Sequence, residues 1–517
     1  MATRGAGRAL FAGAGPAHAE WLESQSAHFV VYADDDEEDI RQFSTRLELY
    51  HSALELVTGT HKPAPSPSNR VTVYVVKNER EVRRLAGEKA NNIAGFYIPR
   101  AGGSVAFVPA VRMNNGDEDF SMIVLLHEYA HHFLISNSSF PTPRWLNEGG
   151  AEFFASSEFP KDGGVRLGMP AMHRVDEIFY ARDVRAHDLL DPEHYADGKN
   201  SGYDAFYGKS WLLYHFLTMN PERGGQLRQY VSLLANGVDS VSAGEQAFGD
   251  LKQLEKDLDK YTRQRLYTAI VPPDKLPIGK VAVRKVSPGE AEILPVRMRS
   301  KRGVDSETAP GLLAEAREIA ARYPENPAVL SELAEAEFDA GNDDGAIAAA
   351  DRALAVDPSA KNALVQKGYA LFRKAEAADA EAADAAFAAA MQPFVKLNHL
   401  ENDNPLPLIY NFRSFAERGV KPDENAVHGL ERATQLAPFD LGLRLELAGY
   451  ELATGDLKRA RYNLIPVAYN PHGGTRAEAA RAVIDRIDGG ETEISTLQTL
   501  LYSASSADDG EGEGDGA

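Results

Sequence analysis

Cysteine is missing from the whole of the 517-residue chain. Disulfides, thiolate zinc sites and cysteine nucleophiles are excluded together, so any metal must be held by histidine, aspartate or glutamate. The compartment is left open by that absence. Long apolar runs are missing too. No window approaches roughly 18 uninterrupted apolar residues, so no membrane-spanning helix is expected. Positive charge is in deficit, with 55 lysines and arginines against 76 aspartates and glutamates and a formal net charge of -21. A chain of that sign repels nucleic-acid phosphates, so nucleic acid is not an expected partner.

What is present is ordinary for a soluble folded protein: 44% hydrophobic and 25% charged residues. The length exceeds one ordinary domain, so at least two are expected. Residues 1–20 carry Arg4 and Arg8 ahead of a short middle, and "AHA" ends at Ala19, the outline of a secretory signal. Its middle is glycine-rich and leucine-poor, which weakens that outline. A periplasmic or secreted location is favoured over the cytoplasm on this stretch alone. At the other end, residues 491–517 finish in "ADDGEGEGDGA", which holds nothing apolar larger than alanine, and a disordered acidic tail is expected.

Residues 21–270 read as one mixed α and β domain. "HFVVYAD" (His28 to Asp34) and "RVTVYVV" (Arg70 to Val76) alternate like strands, and Glu37 to Gly59 carries helical spacing at Ile40, Phe43, Leu47 and Leu54. Ile93 to Ala110 reads as two short strands joined around Gly102 and Gly103. Residues 271–309 are proline-containing with two short alternating runs, which predicts a β connector. Residues 310–490 turn alanine-rich with a period: Pro324 and Pro358 are 34 apart, Pro438 and Pro471 are 33 apart. Ala346, Ala353 and Pro358 recur in spacing as Ala426, Ala433 and Pro438. This pattern resembles tetratricopeptide repeats, whose unit is one helix pair. About three regular units and one or two degenerate ones are expected, against the alternative of a generic helical bundle. The repeats imply a protein partner or an extended peptide in a concave face.

The stretch "LLHEYAHHFL" (Leu125 to Leu134) puts three histidines and a glutamate in an otherwise apolar helix. His127 and His131, four apart, lie one above the other on one face, so both imidazoles can reach one ion. His132 is rotated about 100° away and reads as a packing residue. Downstream, "PRWLNEGGAEFF" (Pro143 to Phe154) offers Glu148 and Glu152 on a second helix, with Asn147 as its cap. A catalytic zinc needs three protein ligands and an open position, and His/His/Glu is a standard set.

HExxH followed by WLNEG resembles the gluzincin metallopeptidases, the broad group that includes aminopeptidase N and thermolysin-like enzymes. The match is sharp over His127 to Phe154. It implies an α+β zincin-like domain, one Zn2+ held by His127, His131 and Glu148, and Glu128 as general base for a zinc-activated water. Sixteen residues separate His131 from Glu148, a shorter insert than in aminopeptidase-N-like enzymes, so Glu152 stays a rival ligand. As an outer group, Glu152 would instead accept the free ring N–H of a ligand histidine. The resemblance further implies a tyrosine that stabilises the oxyanion, for which Tyr207 fits best and Tyr203 next. It also implies an edge strand that receives the peptide, here "GSVAFVPA" with Gly103, Ser104, Val105 and Ala106. The free-amine signature of aminopeptidases is absent, so the expected substrate is a peptide or protein with no commitment to an exopeptidase. Two competing readings are a tetratricopeptide-repeat scaffold with a silent zinc domain, and a zinc hydrolase acting on another bond.

Overall fold

The computed structural model describes residues 20–87, 93–109, 120–137, 140–191, 194–195, 203–470 and 472–503. Residues 1–19 of the signal-like stretch and residues 504–517 of the acidic tail lie outside the described residues.

The alternating segments build the middle of a six-stranded sheet. Its strands are β1 (Leu22–Gln25), β2 (Phe29–Ala33), β3 (Val71–Val76), β4 (Phe96–Ile98), β5 (Val105–Pro109) and, after a short β6 (Val165–Leu167) and β7 (Ala269–Val271) that pair with each other, β8 (Ala282–Lys285). The spatial order is β4-β5-β3-β2-β1-β8. β2, β3 and β5 run parallel, and the pairs β4/β5, β1/β2 and β1/β8 are antiparallel. A parallel step needs a crossover. Between β2 and β3 it is helix α1 (Glu37–Thr58), which opens on Glu37, Glu38 and Asp39 and stops at left-handed Gly59. Ile40, Phe43, Leu47 and Leu54 face the core as their spacing predicts. α2 (Glu79–Ala86) follows β3, with Asn78 accepting from the Glu81 N–H at its start.

Three further helices position the chemistry: α3 (Phe120–Ser136), α4 (Arg144–Ala155) and, after α5 (Val175–Tyr180) and α6 (Ala186–Leu190), α7 (Phe206–Met219). α4 packs between α3 and α7. α1 braces α3 from the sheet side: the Tyr50 hydroxyl donates to the Leu126 carbonyl at 2.8 Å, and His51 Nδ1 lies 2.7 Å from the Tyr129 hydroxyl.

Residues 271–309 differ from the expected connector. β8 closes the free edge of the sheet beside β1, and Pro288–Arg302 is a helix started by a Ser287/Glu290 capping box. From there twelve helices run to Ser503 among the described residues, as a helical-repeat solenoid does. Asparagine or aspartate caps recur at their starts: Asn326, Asn342, Asn404, Asp423, Asp440 and Asp456 each accept a backbone N–H. The small residues of the sequence period, Ala346, Ala353, Ala426 and Ala433, are fully buried where helices meet. An alanine-rich stretch forms a long helix, Ala380–Leu400, whose Phe394 ring can lie on the neighbouring backbone because Gly368 carries no side chain. The expected disordered tail begins too early at residue 491. Ile494–Ser503 is a helix that buries Leu497 and Leu501, an i, i+4 pair, on the last repeats.

One repeat contact gives a pH prediction. Glu451 is buried, and the Asn463 side chain donates to both its oxygens at 3.0 and 2.8 Å. Burial pushes its carboxyl up to about 7. The folded state therefore holds this proton where the unfolded chain has released it, so stability falls as pH rises from about 4.5 to about 7. Glu451→Gln should remove that slope. In urea unfolding, the variant should gain on the wild type by about 1–3 kcal/mol between pH 5 and pH 8. An unchanged difference would speak against it.

The helical array turns back onto the first domain. The Ser68 N–H and hydroxyl donate to Glu401 at 2.7 and 2.8 Å, Asn69 Nδ2 to the Leu436 carbonyl at 2.7 Å, and the Ala101 N–H to Asp440 at 2.8 Å. Leu406 lies against Gly102, whose φ of 79° and lack of a Cβ both suit that approach.

Candidate metal centre

α3 is helical because its apolar residues recur on one face: Met122, Leu126, Tyr129, Ala130 and Phe133 are buried. The same winding carries His127 and His131 inward, at 3% and 4% exposure. α4 faces them. It begins at Arg144, so Asn147 lies inside the helix rather than capping it, and its side chain donates to the Tyr469 carbonyl of the repeats at 3.5 Å.

Glu148 is fully buried between these imidazoles. Its Oε2 is 3.3 Å from His131 Nε2 and 3.6 Å from His127 Nε2, and the two Nε2 atoms are 3.0 Å apart. Ligands of a tetrahedral zinc at about 2.0–2.1 Å stand roughly 3.3 Å from one another, so the triangle matches such an ion. Neither oxygen of Glu148 has a hydrogen-bond partner. A buried carboxylate left so costs free energy that a cation would remove. Burial alone raises its pKa, yet the neighbouring His131, His472 and His127 hold it down to about 2. The three residues form a group that could hold a metal ion.

No family model and no curated protein matches this sequence. Among solved structures it is similar to "MamA RS-1 ArsTM double mutant", at 14% identity over 40% of this chain and 99% of that one, with a TM-score of 0.27. A likeness that low bears on neither fold nor function, and the repeat description rests on the helices themselves.

The other sequence candidates fall at different distances from the centre. Glu152, fully buried one turn beyond Glu148, has Oε1 3.4 Å from His127 Nδ1. His173 Nε2 lies 2.6 Å from its other oxygen, and Arg174 donates to Oε1 at 2.8 and 2.6 Å. Burial would raise its carboxyl, but His127, His173 and Arg174 hold it far below the usual range. Glu128 is half-buried on α3, and its charge acts on both His127 and His131. Tyr207, in the first turn of α7, accepts a hydrogen bond from Arg144 Nη2 at 3.2 Å. Burial and the charge of Glu148 raise its pKa. Tyr203 is largely exposed. His132 packs as expected, 2.5 Å from the Tyr97 hydroxyl and against Phe439 of the repeats.

The substrate strand needs correcting. β5 is not an edge: β3 pairs one side of it and β4 the other. The backbones of Val105 and Ala106 are already bonded within the sheet, and Ser104, Val105 and Ala106 are buried. Gly103 belongs to the hairpin that returns β4 onto β5. A peptide cannot add to a strand paired on both sides; the edge on this side of the sheet is β4.

Sequence reasoning missed His173, Arg174, Arg144 and His472. His173, Arg174 and His472 sit in no spacing pattern with the motif, and Arg144, four residues before Glu148 on α4, reads as an ordinary surface charge at a helix start. The role of the glycines in "NEGG" was also hidden. A Cβ at Gly149 would stand 2.4 Å from the Ser210 carbonyl oxygen and 2.7 Å from its carbon, both in the backbone of α7. Gly149→Ala must push α4 and α7 apart. It is expected to cost about 1–3 kcal/mol in thermal unfolding and to weaken metal binding by moving Glu148. Unchanged stability would show that the helices yield freely.

Proposed function

We propose that the chain couples a His127/His131/Glu148 metal centre to a helical-repeat interaction surface, and that the centre is a gluzincin-like zinc peptidase. The observation that carries this reading is the buried Glu148 carboxylate, without a hydrogen-bond partner, at ligand spacing from two imidazoles. The donors are all nitrogen and oxygen, as a zinc site accepts. A bound Zn2+ would supply Lewis acidity to a carbonyl and to water. Glu128 takes the proton of the attacking water and returns it to the departing amine. Tyr207, kept protonated by burial, gives a hydrogen bond to the developing oxyanion while Arg144 fixes its hydroxyl oxygen. Glu152, itself held by His173 and Arg174, orients the His127 ring. The repeats recruit a peptide or protein.

A second reading keeps the metal and the repeats but drops the hydrolysis, leaving a tetratricopeptide-repeat scaffold. The extent of the helical array, from Pro288 to Ser503, favours it. Casein and a peptide library, incubated with the protein before and after chelation, separate the two. Cleavage that is lost with chelator and restored by zinc supports the peptidase. A zinc-loaded protein that cleaves neither supports the scaffold.

A further inference from the structure

The two halves of the chain meet at the centre itself. The helix Leu457–Ala468 ends at Tyr469, and the turn before Gly474–Asp488 carries His472. His472 Nε2 lies 3.4 Å from Glu148 Oε1, the oxygen opposite the one that faces His127 and His131. Its ring stands edge-on to His131 with centroids 5.5 Å apart. One hydrogen bond ties the turn to α4 and another closes it on itself. Asn147, next to Glu148, donates to the Tyr469 carbonyl at 3.5 Å, and the His472 N–H donates to Asn470 Oδ1 at 2.9 Å.

We propose that the repeat half completes the metal centre, with His472 acting as a positioning residue that holds the outer oxygen of Glu148. The proposal rests on the metal reading above. Its chemistry follows from the carboxylate. A glutamate with both oxygens free can swing to grip an ion with two of them, which fills the position a substrate needs. With His472 Nε2 standing 3.4 Å from Oε1, that oxygen is held toward the repeats and Oε2 is left as the single donor facing the two imidazoles. His472 stands outside the grouped donor atoms, which are those of His127, His131 and Glu148. It is not a packing residue, since its side chain is 39% exposed. Metal affinity therefore depends on the last repeats being docked on α4.

The test is zinc affinity, measured by competition with a chromophoric chelator on the full chain, for the wild type, His472→Ala and His472→Gln. Outer partners of metal ligands contribute about ten- to a hundredfold in affinity, so His472→Ala should lose that much. His472→Gln, whose amide N–H can reach the same oxygen, should recover most of it. With cobalt in place of zinc, the visible absorption of the alanine variant should shift and that of the glutamine variant should not. Unfolding in excess chelator should be the same for all three, because His472 is exposed. Equal zinc affinity in wild type and His472→Ala overturns the proposal, as does a loss that glutamine fails to recover. A wild type that takes up no zinc instead defeats the metal reading, and the proposal with it.

Discussion

Glu128→Gln is expected to lower peptide-bond cleavage about a thousandfold, within the roughly 10²–10⁴ that a general acid–base group contributes. The substitution keeps the size of the side chain and removes its ability to take a proton. Glu128 lies beside His127 on α3 but is not one of the grouped donors, so the variant should hold its metal as tightly as the wild type. It is half-buried, and helix propensity barely changes between glutamate and glutamine, so α3 should remain intact. The measurement is kcat/KM on a fluorogenic peptide together with metal content. Cleavage within tenfold of wild type would remove Glu128 from the proton transfer. Loss of the metal would make it a ligand instead.

Glu148→Gln should have the largest effect on the metal. It replaces an anionic donor with a neutral amide at a fully buried position. The affinity lost should exceed the ten- to hundredfold typical of outer partners. Stability reports the same change independently of activity. With zinc at a hundred times its Kd, the wild type gains about 2.7 kcal/mol from binding to the folded state alone. The glutamine variant should gain nothing measurable from zinc, each protein being compared with itself in excess chelator. Equal zinc stabilisation of both would mean that the ion sits elsewhere, and the partly exposed His187, Asp188 and His194 cluster would be the place to look.

What could be read from the residues follows the range over which local rules act. His127 and His131 were legible because four residues on a helix fix which way two side chains point, whatever the rest of the chain does. Glu148 needed the resemblance, since the residues linking α3 to α4 have no periodicity that sets their path. The hairpin around Gly102 and Gly103 was visible in its two positive-φ positions' residue type, and both do adopt positive φ. Which of its strands lies outermost was not, because alternation reports the faces of a strand and not its neighbours. β8 hid for a related reason. A four-residue strand bounded by prolines reads as a connector until its partner β1 is known. His472 was out of reach entirely. Its place beside Glu148 is set by the summed turns of the helices before it and by contacts such as Ser68 with Glu401. Inside the repeats, the recurrence of alanine marked close helix contacts well, whereas the apolar residues of Ile494–Ser503 were overshadowed by the acidic tail that follows them.

The most direct test is the metal content of the purified full chain, by elemental analysis after dialysis, beside that of His131→Ala. One zinc per native chain and none in the variant is the predicted result. A native chain that carries no ion and takes none up on titration, or a variant that binds as well as the native, contradicts the account.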